Sequence, residues 1–453
     1  MIHKALIVIL VFFILLGSST SMFSASLSEQ YFSRVEGMDI AGMNDGETIY
    51  VDDNNTMGPW DGSLEHPYQH VQDGVDNASF GDTVFVFAGD YVEKVEVRKN
   101  IVLRGEDKNT TFIRYFGNSL LDHIVLVTAD EVIFSNFTVS LLNGTCPGIV
   151  LNTVAYCSVI NNIIRSSWGI NVYNSNQNIF SNNSIITVNG GIIIADGGKV
   201  CQNNIIKYNT ITNSGNPGLE YNFGIALWSS AKNNIICDNY FYDCTNHAIY
   251  SQSPYNNTIE RNVIQGNISK GHVGIGIFDV YSRPGNFIRQ NDISGCINGI
   301  ATAGDYFTIS DNILHDNTDG MYLAAGYYLF TTVTNNTFIN NDYGLYMVYA
   351  LFDKVEGNIF HGNFYPLFLE DCMGLKISFN NFTENFLGIV AIHSLFNIFY
   401  RNNFMGNNHY VLSSLSWNIW WRNYWDKPHL LPKLIIGLLP FIQFDWRPAL
   451  QPN

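Results

Sequence analysis

Short apolar runs alternate with polar punctuation along most of this chain, at a near-constant beat. Runs such as Gly191-Ile192-Ile193-Ile194, Gly320-Met321-Tyr322-Leu323, Gly344-Leu345-Tyr346-Met347 and Gly388-Ile389-Val390-Ala391 each open on a small residue. Successive side chains in an extended run point to opposite faces, so each run presents one apolar face to an interior. Between the runs, an asparagine followed two positions later by a large apolar residue recurs. It stands at Asn162, Asn183, Asn209, Asn239, Asn262, Asn291, Asn312, Asn336, Asn358, Asn380, Asn402 and Asn423, at intervals of 21, 26, 30, 23, 29, 21, 24, 22, 22, 22 and 21. A second asparagine often stands five residues earlier (Asn178, Asn204, Asn234, Asn257, Asn286, Asn397, Asn418). Another often stands five later (Asn267, Asn317, Asn341, Asn363, Asn385, Asn407).

Runs of three to five residues are too short for sandwich strands joined by hairpins. A repeat near 22 residues instead closes into a coil, and coil stacks on coil with like strands in parallel. The fixed leucine frame of a leucine-rich repeat is absent. The pattern predicts an all-β fold, a single-stranded right-handed parallel β-helix of about 12 or more coils with a 21–24-residue repeat, capped at both ends. Equivalent asparagines are expected to stack as hydrogen-bonded ladders. Asn and Gly are expected to supply the left-handed backbone of the turns. Twelve coils run roughly 55–60 Å.

Organisation follows from the ends of this pattern. Ala5 to Leu16 is an apolar run behind His3 and Lys4, followed by small residues from Gly17 to Ser21. It reads as a signal peptide over residues 1–26, or an uncleaved anchor, with a linker over 27–47. Residues 48–100 are expected to form an N-terminal cap with strands at Ile49-Tyr50-Val51, Thr83 to Val86 and Val95 to Val97 and a short helix over Tyr68 to Ala78. Residues 101–425 carry the repeats and 426–453 the C-terminal cap or tail. Five of the eight tryptophans (Trp417, Trp420, Trp421, Trp425, Trp446) cluster at that end, where large rings suit covering an open coil. Leu434 to Phe444 is apolar but short, and interrupted by Pro440.

Composition narrows the partners. Of 453 residues, 46% are hydrophobic and 14% charged, with a net charge of -16. That acidity disfavours nucleic acid and anionic membrane, and leaves neutral glycans, cations or basic proteins. Membrane contact is expected only through an uncleaved anchor. Seven cysteines, without a CxxC pair, read as small interior residues. Sequons such as Asn54, Asn143, Asn267 and Asn381 permit glycosylation.

Several side chains are candidates for chemistry. Two coils carry insertions, Thr212 to Tyr221 and Gln265 to His272, flanking a coil whose turn holds Asp243 and His247. Glu220, Asp243, His247 and His272 are expected to converge there as a catalytic site, with His247 and His272 the metal candidates. Asp371 and His393 align on adjacent coils, an alternative acid–base pair that is more often a surface polar pair. Asp196 and Asp279 share a strand-end position but stand three coils apart, roughly 14 Å, beyond the reach of a paired-carboxylate mechanism. His315 and His361 share a register two coils apart, too far for one copper ion. His66 and His70 read as part of a structural cap. Asp52, Asp53 and Asn54 are calcium candidates that Asx turns explain equally well. Tyr322, Tyr346 and Phe368 fall at one outward position on three consecutive coils. They predict a flat aromatic stripe with rings about 5 Å apart, suited to carbohydrate.

The stretch Gly89-Asp90-Tyr91-Val92-Glu93-Lys94-Val95-Glu96-Val97, then Ile101 to Gly105, resembles the opening of many β-helix proteins. The Asn-x-Ile-x-x-Asn-x-Phe units separated by Gly-Ile-x-Leu resemble the NosD-type repeat, within the wider class of carbohydrate-binding and sugar-hydrolase β-helices. Pro59-Trp60-Asp61-Gly62, His66-Pro67-Tyr68 and Asn423-Tyr424-Trp425-Asp426 through Phe444 to Pro448 look like archaeal surface proteins of this type. The resemblance implies a β-helix and three roles: a polysaccharide lyase, hydrolase or esterase; a glycan-binding or structural envelope protein; or an exported accessory factor for copper-site assembly. Together with the residues it favours an exported, cell-surface or periplasm-like protein that binds carbohydrate or builds the envelope without catalysis. The alternatives are a polysaccharide-active enzyme with its groove at 212–221 and 265–272, and a NosD-like copper-binding accessory protein.

Overall fold

A computed structural model describes residues 46–453 apart from 120–121, 196–197, 214, 216–221, 229–230, 254, 279–284, 325–329, 436 and 439–441. The expected signal and linker, and Glu220, Asp196 and Asp279, lie outside the described residues. Thr48–Asn453 forms one compact unit. It is a parallel β-solenoid whose coils contribute three strands each to three stacked sheets. The first sheet has 18 strands and the second and third have 15 each. One coil reads Ile179–Ser181 (first sheet), Ser184–Thr187 (second) and Gly190–Ala195 (third). Strands pair in parallel with their equivalents one coil away, for example Ile179 with Ile205 and Ile192 with Ile225, with register shifts at Tyr115/Phe116 and Leu395/Ile398. Fifteen strands at ~4.8 Å give roughly 65–70 Å of length.

All twelve repeat asparagines form one column. In each step the backbone N–H and Nδ2 of one asparagine donate to Oδ1 of the next, as from Asn312 to Asn336 at 3.0 and 2.9 Å. Nδ2 also donates to a backbone carbonyl, here Ile288 at 3.0 Å. The column runs from Phe137 N–H, which donates to Asn162, to Asn423, whose donors end on the buried Asp445 carboxylate. A second column links Asn178, Asn204, Asn234, Asn257 and Asn286. It resumes from Asn397 to Asn418 and ends on Gln443. A third joins Asn317 to Asn407. Asn267 does not join it. Its side chain instead accepts from Ser269 N–H and caps the one-turn 3-10 helix Ile268–Lys270 in the inserted loop.

The left-handed backbone falls on Asn or Gly as expected at Asn161, Asn182, Asn335 and Gly357, among others, but not on the ladder asparagines themselves. It belongs to the residue before each ladder asparagine, and that residue is as varied as Tyr208, Asp238, Arg261, Phe379 and Arg401. A left-handed turn costs a bulky L-residue about 1–2 kcal/mol. The buried amide immediately after it, with its several hydrogen bonds, offsets this cost whatever the turn residue is.

Phenylalanines stack inside the later coils. Phe338, Phe360, Phe382 and Phe404 lie 4.7, 4.8 and 4.9 Å apart, and Trp425 extends the stack at 4.4 Å. Trp420 and Trp425 are therefore interior rings, whereas Trp417, Trp421 and Trp446 are exposed and cover no coil end. The end is closed by an antiparallel pairing of Lys433–Ile435 with Gln443–Asp445. At the other end the helix is Val71–Asn77, shorter than expected. Carboxylate oxygens of Glu93 accept from its Val71 and Gln72 N–H groups. All seven cysteines are buried, and none forms a disulfide.

Candidate functional site

Most strands of the third sheet run five or six residues, many opening near a glycine and burying Ile, Leu or Met side chains inward. Alternation leaves the others outward, in columns set by register. One column runs Phe223, His247, Val273, Asn298, Asp319, Tyr343, Tyr365. Beside it runs Ala226, Tyr250, Gly276, Ala301, Tyr322, Tyr346, Phe368 and Val390.

Two aromatic groups stand on this face. In the later one, Tyr322 and Tyr346 lie 5.3 Å apart and Tyr346 and Phe368 4.9 Å apart, at the expected register and spacing. The rings meet edge to face, at 81° and 71°, so they do not form the flat stripe expected. Edge-to-face contact matches the positive rim of one ring to the negative face of the next. The flat element is the neighbouring pair Tyr343 and Tyr365, stacked at 4.7 Å and 22°. In the earlier group, Phe223 and Tyr250 stack at 4.4 Å, with the His247 ring 5.2 Å from Tyr250 and 6.2 Å from Phe278. Between the groups the column narrows to Gly276 and Ala301. The His247 ring lies over Gly276, where a Cβ would come within 2.3 Å of it.

No third-sheet strand contains a lysine or arginine; their ionised groups are Glu96, Asp319 and Glu370. The Tyr346 hydroxyl meets the Glu370 carboxylate. Burial, and then the charge of Asp342, pushes the Asp319 carboxyl up to about 6. Burial lowers His247 to about 4, which keeps it neutral, and its Nδ1 has no hydrogen-bond partner. The columns end against the closing hairpin, at a cavity of 420 Å³ lined by Leu387, His409, Tyr410, Leu412, Trp425 and Leu434, among others.

Of the four residues expected to converge, Glu220 lies outside the described residues and the other three divide. The inserted loop does fold back on the preceding turn. Lys270 pairs with Asp243 at 2.6 Å, and His272 Nε2 lies 3.9 Å from Asp243 Oδ1. His272 is buried with neither ring nitrogen bonded, and burial lowers its pKa. His247 instead belongs to the aromatic face. Asp371 and His393 do meet, at 3.6 Å, as a partly exposed surface pair. His315 lies between Asp292 at 3.2 Å and Asp316 at 2.7 Å, while His361 contacts Thr383. His66 and His70 stand near Asp61 and Glu93 in the N-terminal cap. Asp52 accepts from Asn54 N–H in an Asx turn, and Asp53 accepts from Asp90 N–H, so structural bonds use both. Sequence reasoning missed Tyr343, Tyr365, Asp319, Glu370 and the Phe223–Tyr250 pair. Glu370, two residues after Phe368, was readable by alternation, whereas Tyr343 and Tyr365 stand three residues before Tyr346 and Phe368 and only ring contacts set them beside the stripe.

Two family profiles match. Residues 147–304 fit a right-handed β-helix region and residues 264–437 fit the periplasmic copper-binding protein (NosD) family. The chain is a NosD-like right-handed β-helix repeat protein. This NosD-like chain is similar to a tailspike protein mutant of E. coli bacteriophage HK620 in complex with a pentasaccharide. The two share 11% identity, covering 80% of this chain and 78% of that one, with a TM-score of 0.51. The Azotobacter vinelandii mannuronan C-5 epimerase AlgE4 A-module matches at 12% identity, 80% and 97% coverage and a TM-score of 0.47. The Streptococcus pneumoniae surface protein and adhesin PfbA matches at 13%, 77% and 95%, and 0.41. Likeness at this identity shows the fold alone. No curated protein matches the sequence.

The family name raises copper. Among the described residues, no three His, Cys, Asp or Glu side chains are placed to hold a metal ion. All seven thiols are buried, and burial pushes those of Cys146 and Cys372 up, to about 11 and about 12, away from the thiolate that a copper site would use. The described residues do not fit a copper ion, and no step is assigned to one.

Proposed function

We propose that this chain is an exported glycan-binding protein that holds its ligand along the outer face of the third sheet without cleaving it. The aromatic group Tyr322, Tyr343, Tyr346, Tyr365 and Phe368 carries this reading. Its rings recur once per coil, at ~4.8 Å, close to the length of one pyranose unit, and aromatic faces pack against sugar C–H surfaces. The rigid scaffold holds the rings in place before a ligand arrives, which lowers the ordering cost of binding. Asp319 and Glu370 supply hydrogen-bonding groups among the rings. With no cation on these strands, glycans rich in carboxylate or sulfate lack a counter-charge, so the ligand is a neutral or amino-bearing glycan. The pentasaccharide complex of the tailspike and the periplasmic description of the NosD family support a sugar ligand and a location outside the cytoplasm.

The test is glycan-array binding by the purified protein and by the Tyr322→Ala/Tyr346→Ala variant, with a reducing-end assay on every hit. Binding that the variant loses, with no new reducing ends, is the expected result. Released ends would replace this reading with an enzyme. Binding that the variant retains would move the ligand off the stripe, and an absence of binding would leave a structural envelope protein.

A further inference from the structure

The last coils carry an apolar surface that glycan binding leaves unused. Trp420 pairs with Asp445, and both side chains are buried. Alternation then sets Ile419 and Trp421 beside Phe444 and Trp446 on the outer face of the first sheet. Ile419, Trp421 and Trp446 are exposed. Leu434 faces Phe444 across the closing hairpin. Leu430 and Leu431 lead into that hairpin and are 89% and 76% exposed. A contiguous apolar patch of this kind marks a contact surface.

Charge selects the occupant. Residues 422–453 contain four basic side chains, Arg422, Lys427, Lys433 and Arg447, against two acids, Asp426 and Asp445. Asp445 is spent inside, accepting from Asn423 and Trp425. The rim of the patch is therefore cationic on a chain whose net charge is -16. Most of the acidic coils lie along an axis several Debye lengths long, at ~8 Å each, so their repulsion is screened there. A second copy docking by two-fold symmetry would set cationic rim against cationic rim. Tryptophan beside exposed leucine with a basic border is the composition that settles at a lipid headgroup boundary.

We propose that this end of the solenoid docks on an anionic lipid surface. Leu430 and Leu431 enter the acyl region, and Lys427 and Arg447 meet the phosphates, while Lys433 lies over the Tyr410 ring.

The test uses the full chain and vesicles of brominated phosphatidylcholine, with and without phosphatidylglycerol. Residues 1–45 contain no tryptophan and five of the eight lie at the C-terminal end, so quenching reports that end. Binding with quenching is expected on the phosphatidylglycerol vesicles. It should weaken with salt and fall by about tenfold or more in Leu430→Asp/Leu431→Asp, with the unfolding midpoint unchanged. No binding, binding without quenching, or binding that the variant retains would overturn the proposal. Equal binding to phosphatidylcholine alone would remove the charge argument and overturn it too. A dimer that the variant abolishes would assign the patch to a second copy. None of these outcomes bears on the array result for Tyr322 and Tyr346.

Discussion

Replacing Asn336 with alanine tests the physical basis of the fold. Asn336 is fully buried in the middle of its column. Its Oδ1 accepts from the Asn312 backbone N–H at 3.0 Å and from Asn312 Nδ2 at 2.9 Å. Its Nδ2 donates to Ile309 O at 2.9 Å and Asn358 Oδ1 at 3.1 Å. Alanine leaves the Asn312 N–H and one Asn312 Nδ2 hydrogen without partners in a closed interior. Each orphaned group costs about 1–3 kcal/mol, so the substitution should cost about 2–6 kcal/mol. The assay is urea unfolding of the full chain followed by far-UV circular dichroism, with Asn335→Gly as the control. Asn335 is exposed and already at positive φ, so glycine there should cost little. The double variant Asn336→Ala/Asn358→Ala removes one shared set of bonds only once. It should fall short of the summed single costs by about 1 kcal/mol or more. A single cost below about 1 kcal/mol, or full additivity, would refute the claim that the ladder holds the coils.

Two further outcomes follow from groups inside the solenoid. Asp353 is buried and accepts from Thr331 N–H at 2.7 Å, and burial pushes its carboxyl up to about 7. The folded protein holds that proton longer than the unfolded chain, so stability should fall as pH rises from about 4 to 7 and remain low above. Asp353→Asn should flatten the dependence and stabilise the protein at pH 8 by up to a few kcal/mol, because holding a proton through one further pH unit is worth about 1.4 kcal/mol. Equal slopes for wild type and variant between pH 5 and 8 would contradict this. At the column's end, Asp445→Ala strips the acceptor from Asn423 N–H, Asn423 Nδ2 and Trp425 Nε1. Coils of a repeat protein open locally, so trypsin should cut faster at Arg401 and Arg422 while cleavage near the N-terminal cap is unchanged. Asp445→Asn keeps an acceptor and should protect.

The coils were legible in the sequence because the ladder admits few substitutes. A side chain there must accept from the coil before and donate to the coil after, in a buried slot of fixed depth, and asparagine does both. Register followed from the ladder, so the outward alignment of Tyr322, Tyr346 and Phe368 was readable without coordinates. Ring orientation was not, because it depends on side chains two columns wide, including Tyr343 and Tyr365. The four-residue site divided for a similar reason. Spacing along the chain showed that the 265–272 segment was extra. It did not show that Lys270 would occupy Asp243, or that His247 would turn onto Gly276 and the aromatic face. The turn residues were legible in part, since Asn161, Asn182, Asn335 and Gly357 hold the left-handed positions as Asn and Gly should. Asparagine is common at positive φ, yet the ladder asparagines sit one residue beyond it, so Phe379 and Arg401 occupy a conformation that sequence preference alone would deny them.

The central column has a direction. Every amide in it hands its protons the same way, so one terminus shows a spare oxygen and the other shows spare donors. The first is met by a backbone N–H at Phe137, the second only by the Asp445 carboxylate. A coil duplicated or deleted between Asn183 and Asn402 finds the same donor below and the same acceptor above. A coil added beyond Asn423 has no use for Asp445, and one lost there takes the acceptor with it. Lineages of such molecules can lengthen or shorten by gene duplication in whole coils through their middles, while selection holds both extremities fixed.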